Sequence, residues 1–146
     1  MDKNGPIVLI DDDEDDLHLF IEIFADMNLR NEVHLFKNTS SLIAFLQKPE
    51  VNPFLIISDI HMPMINGFQL REMVNRDESI RRKKIPYLFF STASGLKASS
   101  EGEGTDYQGI FVKPGKRSEW REVLDTIVRY WSLSMPPEQY SVGPIS

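Results

Sequence analysis

The stretch "FLIISDIHMPMING", residues 54 to 67, decides the fold. A nearly unbroken apolar run ends in Asp59, and a proline and an Asn-Gly pair follow before the next patterned segment begins. A run this apolar suits a strand covered on both faces, as in a parallel sheet, and the residues after it are turn formers. Four further short runs punctuate the chain: "IVLI" (7–10), "VHLF" (33–36), "YLFFS" (87–91) and "GIFV" (109–112). The second, read with its neighbours as "EVHLFK", is more mixed and suits a sheet edge.

Between these runs the pattern is helical. Leu17, Phe20, Ile21 and Phe24 fall at i, i+3, i+4 and i+7 and predict one face of a first helix. "TSSLIAFLQK" (39–48) predicts a second, with Thr39 or Ser40 as N-cap and Leu42, Phe45 and Leu46 inward. A third begins at the Asn66-Gly67 turn and runs through "FQLREMVNRD". The last is "SEWREVLDTIVRYW", where Trp120, Val123, Leu124, Ile127, Val128 and Trp131 keep the helical spacing. "SGLKASSEGEGTDYQ" (94–108) stands where a fourth helix belongs, but its three glycines predict a short, frayed one. Strand alternating with helix five times is one α/β domain on a doubly wound parallel sheet, with the expected strand order 2-1-3-4-5. Residues 132–146, with three prolines and little periodicity, read as a C-terminal tail.

In such a sheet ligands bind beyond the C-terminal strand ends, where strands one and three lie side by side. Asp11 and Asp12 follow strand one, Asp59 follows strand three, Ser91 and Thr92 close strand four, and Lys113 follows strand five. Carboxylates about 4 Å apart repel by roughly 4 kcal/mol at an effective dielectric near 20. The acid-rich "LIDDDEDDL" (9–17) should therefore protonate, disperse into a solvated helix start or bind a cation, and a divalent ion with Lys113 would balance Asp11, Asp12 and Asp59. Oxygen donors with room for water suit Mg²⁺, with Mn²⁺ as the alternative. Asp13 reads as either the lip of that site or a helix cap. Glu14, Asp15 and Asp16 read as first-turn acids directed away from the cleft and favoured by the helix dipole. Carboxylates, a hydroxyl and an ammonium at one edge are suited to phosphoryl transfer onto an aspartate.

As an ordered set, Asp11-Asp12, "SDIHMPMINGF", "FFSTAS" and "FVKP" make residues 5 to 131 resemble the receiver domain of two-component response regulators. The resemblance implies a flavodoxin-like (CheY-like) fold and Asp59 as phosphoacceptor. It implies a metal held by Asp11, Asp12, Asp59 and the backbone carbonyl of His61. Ser91, with Thr92, would be the switch hydroxyl and Lys113 the phosphate-binding cation. Pro63 and Gly67 would shape the loop after Asp59, and the Lys113–Pro114 bond would be cis. A sensor histidine kinase or phosphotransfer protein would donate the phosphoryl group. A downstream protein would read it, or a homodimer would form through the fourth-helix, fifth-strand, fifth-helix face or the tail. The chain would be a signalling phosphoacceptor with slow self-dephosphorylation, not an enzyme. "VRYWSLSMPP" (128–137) is similar to the ending of stand-alone regulators of the phytochrome-associated kind, and no output domain is expected. The aromatic residue that receivers commonly carry three positions before the lysine is here Ile110, with Phe111 beside it.

A formal charge of −6 argues against nucleic acid as partner, and the one basic run, "RRKK" at 81–84, reads as a solvated helix end. No cysteine is present, no signal peptide is evident and no apolar stretch approaches membrane length, so a cytoplasmic protein without membrane contact is expected. Two rivals use the same acids. An EF-hand-like loop drawn from Asp11, Asp13, Asp15 and Glu22 has Asp16 where a glycine is required. A haloacid-dehalogenase-like Mg²⁺-dependent phosphatase also uses a nucleophilic aspartate, but that one follows the first strand and has a second acid two residues on, where this chain has His61.

Overall fold

In the computed structural model, residues 1–94 and 106–135 are described. They form β1 (Ile7–Ile10), α1 (Glu14–Met27), β2 (Val33–Phe36), α2 (Thr39–Gln47), β3 (Leu55–Ser58), α3 (Gly67–Arg76), α4 (Glu78–Arg81), β4 (Tyr87–Ser91), β5 (Gly109–Val112) and α5 (Arg117–Leu133). The strands make one sheet in the order β2-β1-β3-β4-β5, and every pairing is parallel. The expected fold class is therefore the observed one. The segment expected as a frayed fourth helix lies, from 95 to 105, outside the described residues, as does the tail from 136 onward.

Because side chains alternate across a strand, the apolar runs feed two cores. Ile7, Leu9, Leu55, Ile57, Leu88 and Phe90 pack on one face with Phe20, Phe24, Trp120 and Leu124 from α1 and α5. Val8, Ile10, Ile56, Tyr87 and Phe89 pack on the other with residues of α2, α3 and α4. β1, β3 and β4 are buried along their whole length, while β2 is half-buried throughout, as its mixed sequence and edge position predict. Phe20 and Phe90 both meet the Trp120 ring nearly edge-on, at 5.2 and 4.9 Å between centroids, the geometry favoured by the aromatic quadrupole.

Three local expectations change. The buried stripe of α1 is Leu17, Phe20, Ile23 and Phe24, and Ile21 is 48% exposed. The N-cap of α2 is Asn38, whose side chain accepts from the Ser41 N–H. Lys83, within the basic run, is not a solvated side chain: its ammonium donates to the carbonyls of Leu46, Lys48 and Val51 at 2.6, 2.7 and 2.6 Å. All three of its protons are thus used to close the C-terminal end of α2.

Candidate functional site

β1 delivers Asp11 directly into the cleft, where it is 1% exposed, and Asp12 follows on the exposed side. Asp13 resolves as the N-cap of α1, its carboxylate accepting from the N–H groups of Asp15 and Asp16 at 2.9 and 3.2 Å. From the neighbouring β3, Asp59 enters the same space, with Oδ1 held by the Ile60 N–H at 2.7 Å. Carboxylate oxygens of Asp11, Asp12 and Asp59 lie within 4.8 Å of one another. β5 then brings Lys113, whose backbone N–H donates to the Ser91 carbonyl at 2.7 Å. Its ammonium reaches Asp11 at 2.7 Å, Asp16 at 2.8 Å and Asp59 at 3.2 Å, with the lysine side chain only 6% exposed.

Asp16 is the residue that sequence reasoning misplaced. It was expected to turn away with the other first-turn acids; instead it shares the lysine. It lies four residues before Phe20, on the inward stripe of α1, and that spacing was the available signal. Glu14 and Asp15 do lie on the exposed side, and Glu14 pairs with Lys37. One ammonium thus serves three carboxylates. Burial, opposed by Lys113 and reinforced by Asp59, raises the Asp11 acid to about 6. Burial alone would lower the Lys113 ammonium, but Asp11, Asp16 and Asp59 together hold it above its ordinary range.

The Lys113–Pro114 bond is trans, which corrects the cis geometry expected there. The trans form is favoured by about 0.5–1 kcal/mol before proline. The Pro114 carbonyl meanwhile accepts from Trp120 Nε1 at 2.7 Å.

The hydroxyls separate. Ser91 is 1% exposed, and its Oγ has no hydrogen-bond partner among the described residues. A buried hydroxyl left unpaired is costly, and one at this strand end is ready for an incoming acceptor. Thr92 is exposed, with Oγ1 3.3 Å from Ser94 Oγ. Three residues before Lys113, Ile110 is half-buried against the α2–α4 core, while Phe111 packs with the other.

His61 and Pro63 lie on the exposed loop after Asp59, which turns at Met64 with a left-handed φ of 69°. The Asn-Gly pair closes it as a helix start, not a free turn: Asn66 caps α3 and forms a capping box with Gln69. Gly67 is required here by close approach, since a Cβ would stand 2.2 Å from the Asp59 carbonyl oxygen and 2.9 Å from the Phe89 ring. Gly67→Ala should lower unfolding stability by about 1–3 kcal/mol in urea titration, because backbone, not a movable side chain, occupies the space. An unchanged midpoint would contradict that fit.

An open five-stranded parallel sheet with an acid cluster, a buried lysine and an orphan hydroxyl at its C-terminal edge defines a doubly wound α/β domain with its polar site at the strand ends. Residues 7–125 match the family described as "Response regulator receiver domain", and the chain belongs to that family. The two-component response regulator ORR23 of Oryza sativa is 24% identical over 125 residues, covering 84% of this chain and 17% of that protein. The chain spans less than a third of the length of the curated relatives it matches. The phosphorylated cyanobacterial phytochrome response regulator RcpA superposes with a TM-score of 0.75 at 21% identity, over 90% of this chain and 96% of that one. The Mn²⁺-bound response regulator Rcp1 gives 0.73 at 18% identity, over 90% and 97%. At these identities the likeness is one of fold. Nothing found supports the phosphatase alternative, and among the described residues the metal-competent cluster is Asp11, Asp12 and Asp59, not the EF-hand set. No helix among the described residues is long and apolar enough to cross a membrane.

Proposed function

We propose that this receiver domain accepts a phosphoryl group on Asp59 in a Mg²⁺-dependent transfer and so switches a partner-binding surface. The observation that carries the proposal is the gathering of Asp11, Asp12 and Asp59 within 4.8 Å, with Lys113 on Asp59. Hard carboxylate oxygens, one of them exposed to water on Asp12, fit Mg²⁺ or Mn²⁺, with the His61 backbone carbonyl as a further donor. A bound divalent ion supplies charge neutralisation at the acids and at the phosphoryl oxygens. The remaining work falls to the chain. An Asp59 oxygen attacks phosphorus as the bond from phosphorus to the donor breaks, a P–N bond in a phosphohistidine and a P–O bond in acetyl phosphate, and the bonding pair leaves with the donor atom. Lys113 turns to a phosphoryl oxygen, and the unpaired Ser91 hydroxyl donates to another, with Thr92 at the rim.

Receiver domains take phosphate from histidine kinases or phosphotransfer proteins, and we assign such a donor to this chain, in the cytoplasm. For the reader of the signal, the β5–α5 face offers exposed Val112, Tyr130 and Leu133 to a downstream protein or a second copy. Incubation with acetyl phosphate and Mg²⁺ should raise the intact mass by one phosphoryl group; labelling that persists in EDTA would refute the metal requirement, and continuous phosphate release would revive the phosphatase reading.

Proton and metal compete for Asp11. Its folded acid is raised to about 6, so the folded state holds a proton that the unfolded chain has released, and this contribution to stability falls as pH rises through that window. Mg²⁺ needs the ionised carboxylate, so its affinity should fall by about tenfold for each pH unit below about 6, read by Mg²⁺ titration at fixed ionic strength. Flat affinity down to the ordinary carboxylate range would contradict the buried role of Asp11.

A further inference from the structure

At the pole opposite Asp59, a cavity of about 520 Å³ opens between the segment leading into β4 and the C-terminal end of α5. It is lined among others by Arg71, Asn75, Arg81, Gln108, Tyr130 and Trp131, and among the described residues no carboxylate lines it, although the chain carries a formal charge of −6.

Arg71 is the unusual member. It lies on α3 between Leu70 and Val74, at a position whose neighbours face the core, and it is 6% exposed. Its guanidinium stands over the Tyr87 ring at 5.1 Å. Its Nε donates to the Asp106 backbone carbonyl at 2.6 Å, and among the described residues its terminal nitrogens donate to nothing. Burial disfavours its charge, and the nearby Asp106 only partly restores it. A partly buried cation whose terminal N–H groups open onto a cavity has the fork geometry that receives a carboxylate or phosphate in bidentate fashion. Tyr130 and Trp131, in edge-on contact at 5.1 Å, supply aromatic surface on the wall formed by α5. Arg81, exposed at the end of α4, adds positive charge.

We propose that this cavity binds a small organic anion: a flat ring bearing a carboxylate or phosphate, with the anionic oxygens on the terminal nitrogens of Arg71 and the ring against Tyr130 and Trp131. The cavity falls within the about 300–1,000 Å³ range of small-ligand sites, and its lining of apolar and aromatic surface with a few convergent polar groups is their usual make-up. The site is independent of the phosphoryl cleft, since Ile85 and Pro86 precede β4 and Gln108 precedes β5, whereas Asp59, Ser91 and Lys113 stand at the opposite strand ends.

The test is a nuclear magnetic resonance titration of the full chain with phenyl phosphate and benzoate, and with inorganic phosphate and benzyl alcohol as half-ligands. Shifts should concentrate on the Arg71 Nε, Tyr130 and Trp131 resonances, and phenyl phosphate should bind about tenfold more tightly than inorganic phosphate because the ring is buried. The tighter of phenyl phosphate and benzoate identifies the anionic group, and either order upholds the site. Arg71→Met should weaken binding about tenfold or more. The same variant keeps the apolar stem of the side chain over Tyr87, so it should stay folded, and it should still accept a phosphoryl group from acetyl phosphate. The proposal fails if these resonances do not move, if Arg71→Met binds as the parent does, or if inorganic phosphate and phenyl phosphate bind alike.

Discussion

Asp59→Asn should reduce phosphoryl labelling by acetyl phosphate to background, while the folded domain in Mg²⁺-free buffer stays at least as stable as the parent. The amide cannot act as the nucleophile, yet its oxygen can keep the 2.7 Å contact with the Ile60 N–H. Removing the charge also relieves Asp11, whose raised acid owes part of its shift to Asp59. Lys113 retains Asp11 and Asp16 as partners. Loss of labelling with an unchanged or higher melting point therefore separates chemistry from folding. Labelling of the variant at the parent's level would place the acceptor elsewhere, and unfolding would mean that the Asp59 carboxylate is structural.

Lys113→Ala should lower stability in Mg²⁺-free buffer by about 3 kcal/mol or more, the scale for breaking a buried ion pair by removing one partner. The lysine side chain is 6% exposed and the carboxylate of Asp11 2%, so water cannot replace what is lost. Three acids would then face one another without a cation. The folded state would take up protons to relieve them, so the deficit should grow as pH rises, the sign expected of acids with raised folded values. Mg²⁺ should recover much of the deficit, because an ion that binds only the folded chain stabilises it by mass action. Urea titrations with and without Mg²⁺ measure both effects. A variant as stable as the parent, or one that Mg²⁺ does not help, would show that the lysine is not the counter-charge of the acid cluster.

The strand order and the meeting of Asp11, Asp12, Asp59, Ser91 and Lys113 were legible because both follow from local rules. Apolar runs fully covered on two faces imply parallel pairing, and parallel strands put the residue after each one at a common edge. What was not legible depends on the rotation of a helix or on contacts between distant segments. Asp16 and Ile21 differ from expectation by the angle at which α1 sits on the sheet, which an i, i+4 count leaves open by about one residue. Lys83 looks like surface charge in "RRKK", and only the approach of the α2 C-terminus makes it a bridge to three carbonyls. Arg71 reads as one polar residue of an amphipathic helix until the Tyr87 ring is found beneath it. The trans Lys113–Pro114 bond shows the limit of inference from resemblance, since nothing in the residues themselves called for cis.

The all-parallel ladder also sets the order in which the site can be put together. No two strands can meet as a hairpin, so each pairing must wait for a long connection to close. Asp11 and Lys113 are separated by 102 positions and Asp59 and Lys113 by 54. On the ribosome the acids emerge first and Lys113 follows β5, so a nascent chain stopped before β5 must offset its acid cluster with protons or a divalent ion alone. When β5 docks beside β4, Lys113 reaches Asp11, Asp16 and Asp59, so the last strand to be made is the one that brings the protein's own counter-charge to the edge.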